Sequence, residues 1–180
     1  MAARTRNGRC PELRWGLARD GHLDQEVAVP CQNLRVPLIE YFTASTDADA
    51  ARVLPGSGGP AALGFDTVPA KGIDPAVVLG NLESIVTGRP YDEVMAASRQ
   101  CHLLTDGEAE TLVVTVTDTM RDALATAAAE RLRQAAEPWA ATDELAGAAP
   151  AVLADVLTQF AALSRRAVDR DHHLYCWWAL

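Results

Sequence analysis

The segment Leu174-Tyr175-Cys176-Trp177-Trp178-Ala179-Leu180 is apolar at every position. Seven residues suit a strand better than a helix, which usually runs to ten or more. Successive strand side chains point to opposite faces. A strand with no polar position therefore needs cover on both sides, and it is expected to lie inside a sheet rather than at its edge. The two adjacent tryptophans then need a pocket on each face. His172 and His173 form the polar entry to this strand and face opposite ways.

The remaining elements are read from turn signals and periodicity. Residues Pro37 to Phe42 read as a first strand, and Ser45 or Thr46 caps a short helix that Leu54-Pro55-Gly56 ends. Phe65 to Ala70 reads as a second strand. Asp74-Pro75 starts a helix with Val78, Leu82, Ile85 and Val86 on one face and Gly88 as its stop. Pro90 opens a short helix to about Ala97. Cys101 to Leu104 is a weak strand, Asp106-Gly107 a turn, and Leu112 to Val116 a β-branched strand. From Thr117 or Asp118 a long alanine-rich helix runs to Pro138, with Met120, Leu124, Ala128, Leu132 and Ala135 inward. Thr142 to Gly147 reads as one turn. Pro150 opens a last helix, apolar at Leu153, Val156, Leu157, Phe160, Leu163 and Ala167. The fold expected is α+β: one domain over residues 36–180, with a mixed sheet of four or five strands, helices packed on it and the C-terminal strand central.

Residues 1–35 differ. They hold six arginines against four acids, a net +2, and no sustained apolar period. They read as a tail or an upstream extension. Residues 36–180 carry −10 of the total of −8. That charge disfavours nucleic acid, which needs clustered cations. No apolar run approaches the ~20 residues of a membrane helix. Four cysteines with no C-x-x-C pair read as free thiols in a reducing cytoplasm. Lys71 is the only lysine; with the many alanines, this is the usage of a GC-rich genome such as an actinobacterium's.

Several residues are candidates for chemistry. Cys101, His102, His172 and Cys176 are of the types that bind zinc, but their spacing matches no zinc motif, and no metal or cofactor is expected. Cys176 with His102 would make a thiol–imidazole pair, against the commoner case of a buried, inert thiol. Glu40 lies between apolar neighbours in the first strand and is a catalytic candidate if buried. Lys71 and Asp74 sit beside a helix N-terminus, where anions are favoured; with Arg89 they are the candidate anion-binding residues. Simple helix capping by Asp74 explains the same pattern. Trp139, Trp177 and Trp178 are either core or interface anchors. Walker, serine-elbow, H-E-x-x-H and EF-hand patterns are absent.

From about Pro37 onward the chain resembles a group of uncharacterised actinobacterial proteins. The resemblance rests on Ile39-Glu40-Tyr41-Phe42, Lys71-Gly72-Ile73-Asp74-Pro75, Leu82-Glu83, Thr87-Gly88-Arg89-Pro90-Tyr91 and Leu174-Tyr175-Cys176-Trp177. More distantly, the order of strand, short helix, apolar helix ending in Thr-Gly, and C-terminal strand is similar to the uncharacterised YfbM-like family. Neither resemblance implies catalytic residues, and both leave residues 1–35 outside.

The functional expectation is a cytoplasmic binding or regulatory protein that acts through a protein partner. The alternative is a hydrolase-like enzyme whose cleft gathers Glu40, Lys71, Asp74 and His102.

Overall fold

The computed structural model describes residues 38–53, 58–105 and 111–179. The expected tail over 1–35 and the turn at Asp106-Gly107 lie outside them. The fold is α+β. In chain order it runs β1 (Leu38–Ala44), α1 (Asp47–Ala50), β2 (Thr67–Pro69), α2 (Val77–Thr87), α3 (Tyr91–Met95), β3 (Thr111–Thr115), α4 (Asp118–Thr126), α5 (Ala129–Ala140), α6 (Pro150–Asp169) and β4 (His173–Ala179). Short 3-10 turns stand at Ala61–Leu63 and Asp143–Leu145. The described residues belong to one compact unit.

The sheet has four strands in the order β2-β1-β4-β3. β4 is paired on both sides, with Glu40 opposite Trp177 on β1 and Val113 opposite Trp177 on β3. Every pairing is antiparallel, in place of the expected mixture of directions. The reason is visible in the excursion from β3 to β4. The Arg121 guanidinium, in the first turns of α4, donates to the carbonyl of His172, just past α6 (2.9 Å). The helices therefore go out and come back. β4 must re-enter the sheet at the end that β3 left, which makes the two antiparallel.

Both faces of β4 are covered, as its unbroken apolar run requires. Leu174 and Cys176 join Ile39, Tyr41 and Val114 under α2, α4 and α6, where Met120, Leu157 and Phe160 fill the main core. On the other face Tyr175 and Trp177 join Phe42 and Val113 in a smaller core closed by Ala50 and Val53. The Tyr41 hydroxyl donates to the carbonyl of Ile73 (2.9 Å) and ties β1 to the loop before α2.

One expected helix is two. The alanine-rich stretch breaks at Ala127-Ala128, where both residues are extended, and Pro138 lies within α5 instead of ending it. Proline inside a helix removes one backbone bond, here the one to the Gln134 carbonyl. Ala128, expected inward, is exposed at the break. Cys101 to Leu104 makes only an isolated bridge, Leu103 to Val114, at the edge of β3.

Candidate functional site

The loop after β2 carries Lys71 and Asp74. Asp74 is occupied by capping: one carboxylate oxygen accepts from the amides of Ala76 (3.0 Å) and Val77 (2.9 Å), the other from Val78 (3.2 Å). Three of the free N–H groups at the start of α2 are thereby satisfied. Lys71 is exposed and makes no ion pair among the described residues. Arg89 does not join them. It follows the other end of α2, about 16 Å along an eleven-residue helix. There its guanidinium stands 3.9 Å from Glu83 and from Glu93.

Lys71 lies on a cleft of about 370 Å³ between this loop and the start of α6. Ile73, Leu145, Leu153 and Val156 give it apolar walls, with Lys71 and Glu144 as its charged residues. Val152 on its lip is 59% exposed. The Glu144 carboxylate accepts from the Asn81 amide (3.3 Å). The volume falls in the range of ligand sites, and apolar walls with few polar groups are their usual composition.

Glu40, Asp74 and His102 are not among the residues lining this cleft. His102 is exposed, and its backbone bonds to Thr115 at the far edge of the sheet, accepting at 2.9 Å and donating at 3.1 Å. The row His102, Thr115, Tyr175, Phe42 crosses three strand spacings, about 14 Å. Glu40 is two residues beyond Phe42. The four residues of the expected enzyme cleft are thus spread over the sheet and its flank.

The thiols sit in surroundings that keep them protonated. Cys176 is fully buried opposite Tyr41. Burial pushes its pKa far above the usual thiol value. Burial, with the nearby Asp74 charge, also raises that of Cys101. A protonated thiol neither attacks nor ligates. The His172 ring is placed 3.4 Å from the Thr43 hydroxyl. Among the described residues no group of three or more His, Cys, Asp or Glu side chains is placed to hold a metal ion.

Trp139 is fully buried, and its indole donates to the carbonyl of Val78 (3.0 Å). Trp177 is 6% exposed on the smaller core, and Trp178 is half-buried against the main one. The structure thus places Trp139 and Trp177 in the cores. Among the described residues, the indole N–H of Trp177 and one carboxylate oxygen of Glu40, its partner across the strands, have no hydrogen-bond partner. Gly59 has φ +89° and lies directly over the pair; a Cβ there would stand 3.4 Å from the Trp177 ring and 3.7 Å from Glu40.

The sequence did not single out the densest polar cluster, on the same sheet face. Asp47 accepts from the Tyr175 hydroxyl (2.8 Å) and from Arg99 (3.0 Å). Asp118 accepts from the His173 ring (2.6 Å) and faces Arg121 (3.4 Å) and Arg99 (3.9 Å). Partial burial alone would raise the Asp47 pKa, but the Tyr175 and Arg99 donors outweigh it and hold the carboxylate below its usual range. A carboxylate–imidazole pair can orient a base. Here the charged groups pair with one another and pin α1, α4 and β4 together, which is a fastening. Only the finished sheet brings these residues together. Comparisons with protein-family models, with curated proteins and with solved structures found no match.

Proposed function

We propose that the protein acts by binding, as a cytoplasmic regulatory partner of another protein, through the cleft between the Lys71 loop and α6. The observation that carries this reading is an apolar cleft whose lip leaves Val152 largely in water. A concave apolar surface with a few polar groups is the usual form of a recognition site. The catalytic alternative lacks this support, because of its four residues only Lys71 lines this cleft.

The test is a comparison of captured proteins. Val152→Glu puts a charge on the lip, in the first turn of α6, where an acid suits the helix N-terminus. The expected result is a partner retained from native lysate by the wild-type chain and lost with V152E, the variant melting within about 2 °C of the parent, as surface changes usually do. Identical captured sets from the two proteins would overturn the reading.

A further inference from the structure

From the chemistry of the cleft we infer that its occupant joins an aliphatic body to a carboxylate, and that Lys71 is the anchor for the negative end. The inference rests on the binding reading above and names the partner group: an aliphatic side chain of the partner next to an acidic one.

Two independent features point to this pairing. The first is shape and polarity. The side chains of Ile73, Leu145, Leu153 and Val156 on its walls are aliphatic, which suits an apolar body. The second is charge. The cleft has one cation and one anion, and they are not equivalent. Lys71 has no ion-pair partner among the described residues, whereas Glu144 already accepts from Asn81. The unspent group is the ammonium. It is also the only lysine of the chain, on a protein of net charge −8. Within the cleft, an anion meets the exposed ammonium. Glu144 works against the anion, so the preference is set by the difference between the two.

Amide chemical shifts of the full chain can be followed while octanoate, octan-1-ol and octylamine are added in turn. Octanoate is expected to move the amides of Lys71, Ile73 and Leu145 and to bind about fivefold tighter than either of the others, the gain of ~1 kcal/mol from one charge-assisted contact. Lys71→Gln is expected to remove that advantage, and Glu144→Gln to increase it. If the alcohol or the amine binds these residues as tightly as the acid, the carboxylate inference falls and the binding cleft stands. If none of the three moves these amides, the cleft reading falls with it.

Discussion

Glu83 is a buried acid whose charge the fold only partly satisfies. It sits on α2 with 1% of its surface exposed. One carboxylate oxygen accepts from the Thr117 hydroxyl (2.6 Å), and the same hydroxyl accepts from the Met120 amide (3.0 Å) as the N-cap of α4. The other oxygen has no hydrogen-bond partner among the described residues; the Arg89 guanidinium stands 3.9 Å away. Burial raises the carboxyl pKa, and the Thr117 hydroxyl and Arg89 only partly oppose it. A raised folded-state pKa means that the folded chain holds this proton after the unfolded chain has released it. Glu83 then contributes most to stability below the usual carboxylate range, and that contribution is lost as pH rises through the folded pKa. Glu83→Gln keeps an acceptor for Thr117 and removes the charge. It is expected to raise Tm at pH 7.5 by a few degrees, about 1 kcal/mol for an unsatisfied buried oxygen, and by much less at pH 4.5. Thermal melts of both proteins at the two pH values check this. A shift of equal size at both would mean that the Glu83 charge is not the source. Glu83 is within one turn of Leu79 and Leu82 on the buried side of α2, so an acid on an apolar stripe was the available signal. Its partner Thr117, 34 positions on, was read only as a cap.

The break between α4 and α5 shows where local sequence stops being informative. Ala127-Ala128-Ala129 are the best of helix formers, and propensity alone continues one helix through them. An unbroken helix over residues 118–140 would be about 34 Å long and straight. Broken, both halves pack on α6. The carbonyls freed at the break are taken by Arg165 of α6, whose guanidinium donates to Ala125 (3.0 Å) and Ala127 (2.9 Å). Arg165→Ala should lower the unfolding free energy by about 1 kcal/mol, the net worth of such bonds at a partly hydrated site. Arg165→Lys should recover little of it, because an ammonium lacks the planar fork. Urea unfolding curves measure both; full recovery by lysine would show that charge, not the fork, holds the break. Where an element's limits are set by its own residues, the sequence was legible. Pro150 opens α6, and the apolar stripe of α6 is the buried one; Asp74 does hold the first amides of α2, but that helix begins at Val77, two residues after the proline expected to open it. The cleft was half legible. A lone lysine after β2 drew attention to one wall, but the other comes from residues 144–156, and no local pattern says that they return to it.

For the whole molecule, β4 joins what is otherwise separate. Without it, β1 keeps only β2, and β3 keeps only the isolated bridge to Leu103. The strand also supplies both cores at once, Cys176 to one and Tyr175 and Trp177 to the other. Two-sided burial was readable from seven consecutive apolar residues, whereas the partners and their directions were not, because β1 and β3 lie far away in the chain. The energies are lopsided. Fully burying large apolar side chains is worth about 1.5–3 kcal/mol each, so Tyr175 and Trp177 with the thiol of Cys176 account for about 6 kcal/mol before any sheet bond is counted. A domain of this size is stable by about 5–15 kcal/mol in total. Removing residues 175–180 should therefore abolish folding instead of weakening it. The truncated chain is expected to lose its cooperative thermal transition and its near-ultraviolet circular dichroism, while Trp178→Ala, which removes one half-buried ring, keeps both with a lower Tm. A truncated chain that still melts cooperatively within a few degrees of the parent would show that the helices hold the fold without β4. The sheet would then be secondary to the helical layer, contrary to the covered strand from which the architecture was read.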